Sequence, residues 1–123
     1  MPKRVLDVGN CGFDHGSIKS LIEGNYDAEI VQAHDSEEAM NQLNESAFDL
    51  ILVNRVFDRN GEHGLELIRS VTADSKFRST PVMLITNYAN YQDEAVEMGA
   101  LPGFGKNELN ENATLDKLRM HLS

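Results

Sequence analysis

FDLILVN, residues 48–54, is the segment that decides the fold of this chain. Its core LILV is apolar on both alternating faces, which is typical of a central strand in a parallel sheet covered by helices on both sides. VMLI, residues 82–85, has the same character, whereas AEIVQA, residues 28–33, alternates polar and apolar side chains and is expected at an edge. With Val5–Val8 and a weaker run at Pro102–Gly105, the sequence predicts five strands.

Helical patterns separate these strands, because apolar residues recur there at intervals of three or four. Asp35 followed by Glu38 indicates a helix start, and Gly24 and Gly99 indicate helix ends. Strict alternation of short strands and helices predicts an α/β fold, with a doubly wound five-stranded parallel sheet flanked by five helices. We expect a single domain over residues 1–123, with any site at the carboxyl ends of the strands. The apolar sets are Ile18, Leu21 and Ile22; Ala39 and Leu43; Leu65, Ile68 and Val71; Tyr91, Ala95 and Met98; and Leu115, Leu118 and Leu122.

Composition narrows the classes of partner and cofactor. Eleven Lys and Arg residues against 20 Asp and Glu residues give a net charge of -9, so neither nucleic acid nor a membrane surface is an expected partner. Cys11 is the single cysteine and the four histidines lack metal-ligand spacing, which predicts no disulfide, no metal and no cofactor. The lone cysteine fits a reducing, cytoplasmic compartment best. No run approaches the roughly 18 apolar residues of a membrane span.

VLDVGNCGFDHG, residues 5–16, looks like the cofactor loop of an S-adenosylmethionine-dependent methyltransferase. That loop needs small residues where the backbone approaches the cofactor, but Cys11 and the bulky Phe13 stand there. The methyltransferase fold resembles a seven-stranded sheet, and this chain supplies about five strands. A small S-adenosylmethionine-binding domain is therefore the least favoured interpretation.

The layout resembles a two-component receiver domain across essentially the whole sequence. FDLILVN is similar to the third strand of that family, GLELIRSV to the helix that follows, PVMLITN to the fourth strand, and MGALPGFGKNEL to the segment with its lysine. Asn10 and Asn54 are 44 residues apart, which is a receiver-like interval. The resemblance implies a flavodoxin-like fold with strand order 2-1-3-4-5.

The same resemblance implies a phosphorylation site that has lost its acids. The acid pair that holds Mg²⁺ in receivers falls on Gly9 and Asn10, and the phosphoacceptor aspartate falls on Asn54. An amide is uncharged, donates where a carboxylate accepts, and cannot form the acyl phosphate. Thr86 and Lys106 keep the hydroxyl and lysine positions. We favour structural roles for both, with Lys106 donating to Asn54 or to a backbone carbonyl.

The sequence also departs from the receiver pattern at residues that relay the occupied site to the distal surface of the domain. The aromatic residue usual three places before the lysine is Gly103, with Phe104 one place later on the opposite face, and the usual proline after the lysine is Asn107. The loop before the third helix is about two residues longer than usual and carries Asp58, an alternative phosphoacceptor that lacks the positioning phosphoryl transfer needs.

Asp7 lies within a predicted central strand, where a buried carboxylate needs a partner. We favour a structural hydrogen bond, with Asn54 or Arg55 as the expected partner, over an unrecognised site.

The sequence therefore predicts a non-phosphorylatable pseudo-receiver, not an enzyme, that acts by binding an unidentified signalling protein. The resemblance implies a contact surface on the fourth helix, fifth strand and fifth helix. Tyr88, Tyr91 and Phe104 are its candidate residues, with ordinary packing as the alternative for each. A homodimer is left open, and so is an atypical receiver phosphorylated on Asp58.

Overall fold

The structure is a computed structural model that describes residues 2–123. All five strands pair in parallel in one sheet of order β2-β1-β3-β4-β5, which confirms the predicted α/β fold and the edge position of β2. A 3-10 helix, Lys106–Glu108, precedes the last α-helix. The other elements are β1 (Lys3–Val8), α1 (Gly12–Asn25), β2 (Ala28–Ala33), α2 (Ser36–Glu45), β3 (Leu50–Asn54), α3 (Gly64–Ala73), β4 (Val82–Ile85), α4 (Ala89–Glu97), β5 (Leu101–Phe104) and α5 (Asn112–Leu122).

Strand β3 is buried on both faces, as its sequence predicts. Leu50 and Leu52 pack in the layer that also contains the apolar residues of α1 and α5. Ile51 and Val53 pack on the opposite side, with the apolar residues of α2, α3 and α4. All four side chains are fully buried, so β3 joins the two halves of the core.

Strand β5 begins one residue earlier than predicted. It covers Leu101–Phe104, and its pairing with β4 is irregular, since Met83 pairs with Leu101 but Ile85 pairs with Phe104. Pro102 has no N–H to donate to a neighbouring strand. β5 tolerates it because it is an edge strand, with a neighbour on one side only. Pro102 therefore accounts both for the weak apolar pattern of this strand and for its uneven pairing with β4.

The predicted helix ends are partly confirmed. Gly99 follows α4 with φ +107°, the left-handed conformation that ends helices, whereas Gly24 lies inside α1, which ends at Asn25. The Asp35 carboxylate accepts from the backbone N–H of Glu38 at 2.9 Å. The Glu38 carboxylate accepts from the N–H of His34 at 3.0 Å rather than from that of Asp35, so the capping box is displaced by one residue.

We expect Leu52→Ala to lower the free energy of unfolding by about 3 kcal/mol, because it removes buried methyl groups and leaves a cavity between packed layers. Met120→Ala is the control, since Met120 is 81% exposed on α5 and should change the value by less than about 0.5 kcal/mol. Urea unfolding followed by circular dichroism measures both. Equal effects would contradict the assignment of β3 as the centre of the core.

Candidate functional site

The carboxyl edge of the sheet brings three of the five predicted site residues to one cavity. The cavity has a volume of about 230 Å³, and Asn54, Thr86 and Lys106 lie in its wall. Gly9 and Asn10 follow β1 at the same edge, but neither lines the cavity. The remaining lining residues are Arg55, Val56, Ile85, Asn87 and Tyr88.

Gly9 is held in a conformation that excludes a side chain. Its φ is +83°, and a Cβ atom placed there would lie 2.2 Å from the ring of Phe57. Phe57 is 1% exposed, so its ring is buried beside Gly9. The volume that an acidic side chain at position 9 would need is filled by Phe57.

Asn54 uses its amide as a donor, as the sequence predicts for an amide at this position. Its Nδ2 donates to the carbonyl of Gly9 at 3.2 Å and to the carbonyl of Val56 at 2.7 Å. An ionised aspartate could make neither bond, because a carboxylate only accepts. The amide thus ties the end of β3 to the end of β1 and to the loop that follows.

Lys106 donates neither to Asn54 nor to a backbone carbonyl, so both expected partners were wrong. Its Nζ donates to the Asp14 carboxylate at 2.8 Å, which joins the end of β5 to the first turn of α1. The Lys106 hydrogen bond holds the pKa of Asp14 below its ordinary value, with a smaller contribution from the Cys11 thiol and an opposing one from burial. Lys106 therefore has an internal carboxylate partner on a helix rather than on β3.

Thr86 is buried and serves the start of α4. Its Oγ1 accepts a hydrogen bond from the backbone N–H of Tyr88 at 3.2 Å. A hydroxyl that accepts from a backbone N–H two residues later stabilises the turn before a helix. This contact agrees with a structural role for Thr86.

Asp7 is fully buried, and its partners are not those expected. Its carboxylate accepts from Nδ2 of Asn10 at 2.6 Å and contacts Nδ1 of His15, on α1, at 2.7 Å. Neither Asn54 nor Arg55 contacts it. Oδ1 of Asn10 is buried and has no hydrogen-bond partner within residues 2–123. The Asn10 side chain is thus turned toward Asp7.

The long loop between β3 and α3 folds back on itself. Val56 and His63 form an antiparallel bridge, and the N–H of Phe57 donates to the carbonyl of Glu62 at 2.8 Å. Asp58 is exposed and does not line the cavity, although its N–H donates to the carbonyl of Gly9 at 2.9 Å.

Arg59 fixes the same loop to α2 through two carboxylates. Its guanidinium pairs with Asp35 at 3.5 Å and also with Glu38. A hydrogen bond from His34 is the main reason that the pKa of Glu38 falls to about 2, and Arg59 lowers it further. The loop that carries Asp58 is therefore held to the end of β1 by the Asp58 N–H and to α2 by Arg59.

Two of the three aromatic candidates lie near the cavity. Tyr88 is 57% exposed, and its ring meets that of Tyr91 edge to face, with centroids 6.1 Å apart. Phe104 does not belong to this surface, which corrects its assignment. Its ring is 1% exposed and packs in the core, because it stands on the inward face of β5.

Gly103 stands on the opposite face of β5 from Phe104. A Cβ there would lie 2.2 Å from the carbonyl oxygen of Leu84, and the Gln92 amide occupies the space beyond. Nε2 of Gln92 donates to that carbonyl at 2.8 Å, and its Oε1 accepts from the N–H of Gly103 at 2.9 Å. An aromatic side chain at position 103 would therefore need this junction to open.

Three residues that shape the site were not predicted from the sequence: His15, Asp14 and Phe57. His15 follows Asp7 by eight residues, in the first turns of the helix after β1, and this spacing was an available signal. Asp14 and Phe57 gave none, because their contacts depend on how the loops close.

Comparison with known proteins assigns the family. The sequence model of the response regulator receiver domain matches residues 15–114, most of the chain. This chain belongs to the receiver domain family of two-component signalling. No curated protein sequence matches this receiver domain. None of its helices within residues 2–123 combines the length and apolar character needed to cross a membrane.

Solved structures share the fold of this receiver domain at low sequence identity. A response regulator from Thermotoga maritima has 22% identity and a TM-score of 0.79, covering 98% of this chain and 97% of its own. The chemotaxis response regulator CheY4 of Vibrio cholerae has 20% identity and a TM-score of 0.76, covering 99% and 100%. A sensor protein from Polaromonas sp. JS666 has 16% identity and a TM-score of 0.81, covering 97% and 94%.

We expect His15→Leu to lower the free energy of unfolding by about 3 kcal/mol, because it leaves the buried Asp7 carboxylate without its imidazole partner. The double variant Asp7→Asn, His15→Leu should recover part of that loss, since it removes the buried charge and keeps an acceptor for Nδ2 of Asn10. Urea unfolding measures each variant. A double variant no more stable than His15→Leu alone would contradict a pair with a structural role.

The Asp14 carboxyl should titrate below its ordinary range, with a pKa that rises in Lys106→Gln. A lowered pKa in the folded state means that the contact adds stability above the ordinary pKa of aspartate and loses it as the pH falls through the lowered value. Carbon-detected NMR of the side-chain carboxyls measures both titrations. Lys76→Gln, on an exposed loop, is the control. An Asp14 pKa unchanged by Lys106→Gln would refute the ion pair.

Proposed function

We propose that this receiver domain is a pseudo-receiver, which is not phosphorylated on aspartate, is not an enzyme, and acts by binding a signalling protein. The observation that carries the proposal is the packing of Phe57 against Gly9. Receivers typically have two adjacent acids after β1 that hold Mg²⁺. The first of these positions is Gly9 here, and it has no room for a side chain. Asn10, at the second position, has its amide engaged with Asp7.

Asn54 adds a second line of support. Its amide donates two hydrogen bonds that a carboxylate cannot make, so the end of β3 is built around the amide. Phosphoryl transfer depends on metal ions that neutralise the developing charge and on a positioned nucleophile. Within residues 2–123 no three His, Cys, Asp or Glu side chains are grouped to hold a metal ion.

The alternative phosphoacceptor, Asp58, gains no support from the geometry. Its side chain is exposed and lies outside the wall of the cavity that contains Thr86 and Lys106. The S-adenosylmethionine alternative gains no support either, since the sheet has five strands. Phe13 is 82% exposed on α1, so it does not fill the loop after β1 as its bulk in the sequence suggested.

The contact surface is proposed around the exposed start of α4. Tyr88 offers exposed aromatic area there beside the half-buried Tyr91, and aromatic residues often serve as anchors in protein interfaces. Val96 on α4 and Leu101 on β5 are also exposed, at 42% and 38%. A protein partner fits these residues, and the net charge of -9 disfavours nucleic acid.

Incubation with acetyl phosphate and Mg²⁺ should leave the mass of the intact protein unchanged. A receiver with a complete acidic site, treated in parallel, should gain one phosphoryl group. Beryllofluoride with Mg²⁺ should likewise leave the amide NMR signals of residues 54, 86 and 106 in place. A phosphoryl adduct that disappears in Asp58→Asn would support the alternative and overturn the pseudo-receiver.

A further inference from the structure

Arg55 is an unpaired cation at the rim of the functional site. It follows Asn54 directly, and its guanidinium lies over the ring of Tyr91 at 4.7 Å and beside that of Tyr88 at 5.5 Å. No carboxylate within residues 2–123 forms an ion pair with it. The two rings hold the planar guanidinium in place and leave its N–H donors without an acidic partner.

The cavity beside Arg55 has a charge opposite to that of the protein as a whole. Among residues 2–123, Arg55 and Lys106 are the only charged residues in its wall, while the chain carries a net charge of -9. Asn54, Thr86 and Asn87 add neutral polar groups. Because no acid lines the cavity, it suits an anion rather than a metal cation.

The ion pair between Lys106 and Asp14 sets the charge that such an anion should have. Lys106 is already neutralised by the Asp14 carboxylate at 2.8 Å, so Arg55 supplies the one unbalanced positive charge. A monoanion matches that charge, whereas a dianionic phosphate would bring a second negative charge near Asp14. The planar guanidinium also matches the two oxygens of a carboxylate.

We propose that this cavity binds the carboxylate of a glutamate or aspartate side chain from an acidic segment of a partner protein. Arg55 forms the ion pair, and the exposed Tyr88 ring covers the aliphatic part of the inserted side chain. The inference rests on the proposed function, because a chain that works through protein contacts needs a recognition element. Since the whole protein repels polyanions, such binding must come from this local site.

The first test titrates a hexaglutamate peptide into the labelled protein at constant ionic strength and follows amide NMR signals. We expect saturable shifts at residues 55 and 86–88, and dissociation constants at least about tenfold higher in Arg55→Gln, which loses the charge-assisted hydrogen bonds. Arg55→Lys should fall between the two, because it keeps the charge but loses the planar fork.

Arg78→Gln is the matched control, since it removes the same charge from an exposed position that does not line the cavity. It should bind the peptide as the unaltered chain does. Equal weakening in both variants, shifts confined to other residues, or no shifts at all would overturn the carboxylate site. Thermal unfolding of each variant checks that it is folded.

The second test separates carboxylate from phosphate. Inorganic phosphate should bind the unaltered chain more weakly than the peptide does, and Asp14→Asn should strengthen phosphate binding at least about tenfold by releasing Lys106. Asp27→Asn, at an exposed position away from the site, should not. Phosphate that binds the unaltered chain at residues 55 and 86–88 as tightly as the peptide does would overturn the preference for a carboxylate.

The two proposals fail in different ways. Phosphorylation by acetyl phosphate would refute the pseudo-receiver whatever the peptide does. An unphosphorylated chain whose peptide shifts are absent, or do not depend on Arg55, would refute only the carboxylate site.

Discussion

The contact between the Phe57 ring and the backbone of Gly9 is the constraint on which the site depends. A positive φ turns the chain after β1, and the carbonyl of Gly9 then accepts from Nδ2 of Asn54 and from the N–H of Asp58. A side chain at position 9 would displace the ring, and a carboxylate at position 54 would lose its bond to that carbonyl. The glycine, the amide and the long loop are therefore parts of one arrangement.

Asp7 and Asp14, near the carboxyl edge of the sheet, pair with side chains of the domain itself rather than pointing together at one ligand. Asp7 is paired with His15 and Asn10, and Asp14 is paired with Lys106. A buried or partly buried carboxylate is stable only with such partners. Each pair lies between a strand end and α1, so α1 carries the polar contacts that close this side of the domain. The cavity is left with cations and neutral groups in its wall.

The fold could be predicted from the sequence because the apolar patterns of its strands and helices are local and recur along the chain. LILV and VMLI indicated central strands, AEIVQA indicated an edge, and the structure confirms all three positions. The start of β5 was off by one residue, because Pro102 and Gly103 weaken the apolar pattern. The site was less predictable. The missing acids and the donor role of Asn54 could be deduced from residue types, whereas the spacing of His15 after Asp7 only hinted at that contact and nothing indicated that Lys106 pairs with Asp14. Those partners depend on the direction in which α1 leaves the sheet, which no short motif encodes.

The contacts among β4, β5 and α4 show how a chain can keep the receiver fold without keeping the residues by which receivers respond to phosphorylation. In place of an aromatic residue at position 103, the Gln92 amide bonds both the carbonyl of Leu84 and the N–H of Gly103. Phe104 fills the opposite face as a core residue, with its ring buried. Thr86 is likewise committed to the first turn of α4 through the N–H of Tyr88. Thr86 and Gln92 are thus both engaged with the backbone around the start of α4, next to Arg55, Tyr88 and Tyr91. The proposed pseudo-receiver would need no conformational change to present these residues, so its affinity for a partner would not depend on one.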